Sequence, residues 1–212
     1  TNYVTMETGQ PLHVFDFDKI EGGQLLARLG KNGEVVEMLD GQSIKLDVDM
    51  VVLADKKNPL DIAGIKGGKK AEVTEQTKNV LLTAGNFDGV NIYQTAKKTG
   101  LSTDASARFS RQISPELVSL GLQRAAELIG ELCGGKAGNA VDVYPDKVRR
   151  RLIKFDIERF NKIFGADLSR SVALGYLKKL GFGVEGNLVE VPKIRMDIEL
   201  FEDLAEEVMR LH

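Results

Sequence analysis

His13 stands in the string Gly9-Gln10-Pro11-Leu12-His13-Val14-Phe15-Asp16, and the only other histidine is the last residue, His212. An imidazole near its ordinary pKa orients a water or exchanges a proton at neutral pH, and Asp16 or Asp18 is close enough in sequence to set its tautomer. The alternative is a hydrogen-bonded structural side chain, and spacing alone leaves both open. No nucleophile-elbow pattern accompanies a serine, so any hydrolysis here would use water as its nucleophile. Two histidines and one cysteine fall short of a zinc ligand set. Cys133 ends an apolar helical stripe with no histidine beside it and reads as a small buried hydrophobe.

A second group of candidate ligands lies near the C-terminal end. Asp203, Glu206 and Glu207, at i, i+3 and i+4, share one helix face, with Asp197 a short way upstream. Oxygen ligands on one rigid face suit Mg2+, which takes one or two carboxylates and keeps several waters. Acids near a helix N-terminus also favour the macrodipole and are otherwise simply solvated. Ala63-Gly64-Ile65-Lys66-Gly67-Gly68-Lys69-Lys70 has the composition of a phosphate loop without the Gly-Lys-Ser/Thr ending or the spacing of either nucleotide fingerprint, which excludes that motif. Its glycines would instead let backbone amides approach a ligand closely. Arg149-Arg150-Arg151 offers phosphate contacts of the kind a winged-helix nucleic-acid binder uses, or else belongs to a solvated linker.

The elements that must position these groups follow from glycine punctuation and periodicity. Short strands are expected over 25–29, 35–39, 44–46, 50–54, 60–65 and 80–84, and Asn32-Gly33 signals a hairpin between the first two. The period then changes: Ile92, Ala96 and the stretch 104–111 fit short helices. Ser114-Pro115-Glu116 opens a long helix, with Ser114 as N-cap and Pro115 in the first position. Its stripe of Leu117, Leu120, Ala125, Leu128 and Leu132 ends at Gly134-Gly135. The string 145–151 reads as a linker. Beyond it come a strand over 152–155, a helix over 157–164 stopped by Gly165, and a helix from N-cap Ser169 to Leu180. A hairpin turning at 185–187 and a final helix from about Glu202 complete the chain. The reading is an α+β protein: a β-rich domain with helices over residues 1–145, then a small winged-helix-like α+β domain over 146–212.

Composition narrows the function classes. The 212 residues carry 29 Lys+Arg against 31 Asp+Glu, a net charge of −2, so bulk charge selects neither a nucleic-acid nor a cationic partner. With 42% apolar and 28% charged residues the chain is globular rather than disordered. No apolar run reaches the ~18 residues of a membrane span, and a single cysteine with no signal-like N-terminus points to a reducing cytoplasm. Thr1 in place of Met, and a helical pattern running straight into His212, are read as the ends of an excised fragment.

Taken together the motifs resemble a known family. Thr1-Asn2-Tyr3-Val4, the His13 string, Ala63–Gly68, Thr74-Glu75-Gln76-Thr77-Lys78-Asn79-Val80-Leu81-Leu82 and Gly100–Phe109 are similar, in order, to bacterial phenylalanine–tRNA ligase beta subunits. So are Arg195-Met196-Asp197-Ile198 and Asp203-Leu204-Ala205-Glu206-Glu207-Val208 in the second domain. The resemblance implies that residues 1–145 form an editing domain, which hydrolyses tyrosine wrongly attached to tRNA(Phe). It implies an alpha subunit that performs the ATP-dependent charging, so that ATP is used by the complete ligase and not bound by this fragment. It also implies a heterotetramer of two alpha and two beta chains, tRNA(Phe) as partner, and no membrane.

Residue by residue, the resemblance implies that His13, Asn2 and Thr103 serve catalysis, His13 by positioning the hydrolytic water or the tRNA terminus. Ala63, Gly64, Thr83, Asn86 and Ala105 would form the amino-acid pocket, Gly64 by letting backbone approach the substrate. Asp197, Asp203, Glu206 and Glu207 match a Mg2+ position shared with the alpha subunit. One departure matters: Thr83 stands where the family usually has a glutamate that recognises the tyrosine hydroxyl, and Asn86 replaces an aromatic close by. Weakened editing is the expectation, and a non-catalytic assembly scaffold with a decayed pocket is its rival.

Overall fold

The computed structural model describes all 212 residues, in two compact units, Thr1–Val141 and Asp142–His212. The first begins with helix α1 (Asn2–Thr8), closed by Gly9 in the left-handed region, and strand β1 (Leu12–Asp16). Strands β2 (Leu26–Leu29), β3 (Val35–Glu37), β4 (Ser43–Lys45), β5 (Val51–Ala54), β6 (Pro59–Ile62), β7 (Lys66–Gly67) and β8 (Val80–Ala84) follow. Helices α2 (Gly89–Thr99), α3 (Asp104–Phe109) and α4 (Leu117–Cys133) complete the unit. All sheets are antiparallel: β2-β5-β6-β7 forms one, β3-β4 a second, and β1-β8 a two-stranded ribbon.

The ribbon is the element that organises the unit. Its register pairs His13 with Thr83, Val14 with Leu82 and Phe15 with Leu81. Alternation sends successive side chains to opposite faces. Val14 and Leu82 turn toward α1 and α4, where they line a cleft with Val4, Ala125 and Ile129. Phe15 and Leu81 turn toward the four-stranded sheet and pack with Leu53 and Leu60. Buried Gln10 ties the two strands together at their open end, its Nε2 donating to Pro11 O and Gly85 O at 2.8 Å each. A separate core of Val36, Met38, Val52, Ile62, Ile92 and Phe109 joins the sheets to α2 and α3.

The second unit comprises β9 (Arg151–Lys154), α5 (Ile157–Phe164), α6 (Arg170–Lys179), β10 (Gly183–Glu185), β11 (Leu188–Val191) and α7 (Phe201–Met209). The sheet order is β10-β11-β9, the arrangement expected of a winged-helix-like domain. Asp156 caps α5 through the amides of Glu158 and Arg159, and Ser169 caps α6 through Val172. Phe155, Phe160, Leu177, Val189 and Leu204 form its core. The α+β reading of both parts of the chain holds.

Several local expectations need correction. Lys31–Glu34 is a tight turn with Gly33 at φ +86, yet it does not make a hairpin. Strand β2 pairs with β5, and β3 pairs with β4, because burial and not turn chemistry selects the partner. Helix α4 starts at Leu117, and residues 114–117 form a tighter i to i+3 turn in which Ser114 Oγ accepts from the Glu116 amide. Its stripe is only partly covered, with Ala125 buried while Leu120 and Leu132 are exposed. Cys133 is exposed, not a buried hydrophobe. Arg151 belongs to β9, and Arg150 pairs with Glu190 at 2.8 Å, so neither is a free linker cation. No helix is long and apolar enough to cross a membrane.

Candidate functional site

His13 points from β1 onto β7. The ring sits where a side chain at Gly67 would begin: a Cβ added there would lie 2.3 Å from His13 Cε1. Any residue but glycine at 67 would drive the imidazole out. Phe15 braces the ring edge-on, with centroids 4.4 Å apart. Burial holds the His13 imidazole below its ordinary pKa, so it is neutral at physiological pH. Across the ribbon the Thr83 hydroxyl donates to His13 O at 3.2 Å and keeps a lone pair free as an acceptor.

Asp16 and Asp18, expected to orient the ring, do not. Asp16 accepts from Thr77 Oγ1 at 2.7 Å and from the Asp18 amide, and Asp18 accepts from Asn79 Nδ2. Residue Asp16 closes β1 and begins a 3-10 turn, which carries both carboxylates away from the ring. No sequence motif singles out Asp61, which is buried on β6 as the register partner of Gly67. Its Oδ1 accepts from the Leu53 amide at 3.0 Å, and burial without a cation pushes its pKa up to about 7.

The other expected residues lie on the turn after β6, after β8, and on α1 and α3. Ala63 is fully buried, and its amide donates to Val51 O. Gly64 adopts φ +69, where a Cβ would strike Ile92, Phe87 and Phe109 at 2.8–3.1 Å. The space a side chain there would take is filled by these three core residues. The Thr103 hydroxyl donates its proton to Ile65 O at 2.8 Å and accepts from Ser106 N, so it clamps the turn after Gly64 and caps α3. Ala105 packs against the same core as Phe87. Asn86 is exposed and donates to Ile113 O at 2.7 Å, and Asn2 is exposed at the start of α1. Thus 63–67 and 83–87 are the two segments that join the imidazole to the pocket residues.

A cleft of about 310 Å3 opens on the other face of the ribbon, lined by residues such as Val14, Leu82, Leu128 and Cys133. Its lining is mostly apolar, with Thr1 and Tyr3 at its edge.

A family comparison decides what this arrangement is: the B3/4 domain family matches residues 1–134. The chain belongs to the B3/4 domain family. A tRNA synthetase B5 domain matches residues 153–212. Over its whole length the B3/4–B5 chain is similar to phenylalanine–tRNA ligase beta subunits. That of Carboxydothermus hydrogenoformans is 39% identical over 99% of this chain, and that of Brucella suis 41% identical over 100%. That of Pectobacterium atrosepticum is 38% identical over 100%. The chain spans 27% of the length of each of these relatives. A more distant likeness is to the crystal structure of an N-terminal fragment of the beta subunit from Pyrococcus horikoshii. There the identity is 17% and the TM-score 0.45, over 98% of this chain and 62% of that one.

In the B5 unit the four expected metal ligands do not come together. Arg195 lies between two of them, reaching Asp197 at 2.6 Å and Glu207 at 3.1 Å, and Arg210 holds Glu207 at 2.7 Å. The Asp197 carboxyl is kept below its usual range by Arg195. Asp203 accepts from the amides of Glu199 and Leu200, while Glu206 is exposed on α7. Glu207 is buried rather than sharing an open face with Asp203 and Glu206. No three metal-ligating side chains form a group that could hold an ion, so these residues as arranged do not fit Mg2+. Millimolar magnesium is accordingly expected to leave the melting temperature of the chain unchanged, because an ion that does not bind the folded state cannot stabilise it. A rise of several degrees in a thermal scan would contradict this arrangement.

Proposed function

We propose that the B3/4 unit is an aminoacyl-ester hydrolase that clears tyrosine wrongly attached to tRNA(Phe), carried in the beta subunit of a phenylalanine–tRNA ligase. The observation that carries the reading is the His13–Thr83 register pair: a half-buried, neutral imidazole on one strand and, on its neighbour, a hydroxyl bonded to the His13 carbonyl. In this reading neutral His13 takes a proton from water as the water oxygen attacks the ester carbonyl carbon. The bond from that carbon to the ribose oxygen breaks, and the imidazolium returns the proton to that oxygen. Tyrosine and free tRNA leave, with nothing oxidised or reduced. Thr83 meets the tyrosine hydroxyl, Ala63, Gly64 and Ala105 shape the pocket wall, Thr103 holds the wall in place, and Asn2 and Asn86 lie at the rim. Charging with ATP on an alpha subunit, the tetramer of two alpha and two beta chains and a cytoplasmic setting belong to the same proposal. They rest on similarity to the relatives. No step is routed through magnesium.

Specificity tests the reading. A carboxylate rewards the extra hydroxyl of tyrosine with a bond worth about 1.5–3 kcal/mol, and a neutral threonine with about 0.5–1.5 kcal/mol. Thr83→Glu in the complete ligase is expected to raise discrimination against tyrosyl-tRNA by about fivefold, the equivalent of ~1 kcal/mol. Efficient clearance by the unaltered enzyme with no gain from Thr83→Glu would move recognition to Asn86 or another group. One observation favours the scaffold rival: the Phe87 ring fills the space over Gly64 and Gly85. If that rival holds, neither enzyme clears the tyrosyl ester faster than it decays in buffer.

A further inference from the structure

Asp61 on β6 lies on the face of the four-stranded sheet onto which His13 projects from the β1-β8 ribbon. Antiparallel partners carry their side chains on one face, with Cβ atoms about 4.5–5.5 Å apart. Asp61 is the partner of Gly67, and the His13 ring occupies the position a Gly67 side chain would take. The glycine thus removes the only side chain that would separate carboxyl from imidazole. Asp61 Oδ1 accepts from the Leu53 amide at 3.0 Å, which leaves Oδ2 as the second acceptor of the carboxyl. Beside Asp61 on that face stand its register partners Leu53 of β5 and Gly67 of β7, with the His13 ring where a Gly67 side chain would be. Among these His13 alone titrates. A carboxyl buried at 4% exposure in an apolar layer is costly, and the titratable group across Gly67 from it is the one proposed to activate water.

We propose that Asp61 is the positioning residue of His13: its carboxylate lies beside the imidazole, fixes the tautomer and stabilises the imidazolium formed during ester hydrolysis. The inference rests on the function proposed above and adds to it the residue that makes His13 a competent base. Asp61 touches neither substrate nor water. Its burial sets the working range, because the pair acts only when the carboxyl has lost its proton, at about pH 7 and above.

The test is the pH profile of tyrosyl-tRNA(Phe) hydrolysis by the complete ligase, with phenylalanine charging as the control for intact folding. The unaltered enzyme is expected to show a single-proton rise centred near pH 7. His13 acting alone, with its pKa lowered by burial, would already have reached its plateau there. Asp61→Asn keeps the acceptor for Leu53 N and removes the titration. Its profile should flatten through neutrality and its rate at high pH should fall about tenfold, less than the ~10²-fold expected of the base itself. A rise centred well below pH 7 in the unaltered enzyme overturns the proposal without any variant. So does an Asp61→Asn enzyme with unaltered rate and profile while His13→Ala is inactive, which would leave the function of His13 standing. Unchanged hydrolysis by His13→Ala would remove the function itself, and this role of Asp61 with it.

Discussion

His13→Ala is expected to slow tyrosyl-tRNA(Phe) hydrolysis by the complete ligase about 10²-fold, the lower bound for a positioned general acid–base group. The fold should survive, because the ring packs against Phe15 and over Gly67, contacts that a smaller side chain can lose without unpairing either strand. Alanine would leave a gap over Gly67, so the appropriate companion is Gly67→Ala with His13 intact. Its new methyl would lie 2.3 Å from His13 Cε1 and push the ring out of place. Both variants should lose hydrolysis while phenylalanine charging persists. Single-turnover decay of the ester measures this directly. A folded His13→Ala enzyme with an unaltered rate would assign the imidazole to structure.

Asp61→Asn is expected to stabilise the chain at neutral and alkaline pH. The folded-state pKa of Asp61 is about 7, against ~3.9 in an unfolded chain. Below about pH 4 both states hold the Asp61 proton and this group costs the fold nothing by ionising. As pH rises from there the unfolded state releases the proton first, and the Asp61 contribution to the unfolding free energy falls by about 1.4 kcal/mol per pH unit until the folded carboxyl ionises near pH 7. Asparagine carries no charge and has no such slope. The variant should match the wild type in acid and exceed it by up to about 4 kcal/mol above neutrality, with the coupling to His13 reducing the gain. Denaturant midpoints at acid and mildly alkaline pH check this. Equal pH slopes in the two proteins would contradict a buried, proton-holding Asp61. In its proposed role, Asp61 would trade stability for function in this pH range.

What could be read from the sequence was what local chemistry controls. Helices α5 and α6 begin at Asp156 and Ser169, whose side chains accept the orphan amides, and α5 ends at Gly165 in the left-handed region. The hairpin around Gly186 follows from the same kind of signal. Strand β1 escaped because its partner β8 lies some seventy residues away and nothing within Leu12–Asp16 announces that pairing. The same non-locality hid the orientation of His13: nearness in sequence suggested Asp16 and Asp18, while the fold brings Asp61 alongside through Gly67. Asp61 between Leu60 and Ile62 looks like the polar position of an alternating strand. It is buried because β6 is covered on both faces, where alternation no longer reports exposure. On α7 the spacing of three acids was legible, but the arginine that occupies the space between Asp197 and Glu207 was not.

The most direct measurement is the rate at which the complete ligase releases tyrosine from tyrosyl-tRNA(Phe), set against phenylalanine release from phenylalanyl-tRNA(Phe) under the same conditions. The account predicts that the tyrosyl ester decays faster than in buffer, that the phenylalanyl ester is spared, and that His13→Ala abolishes the difference. Decay of both esters at the buffer rate, with charging activity intact, would contradict it.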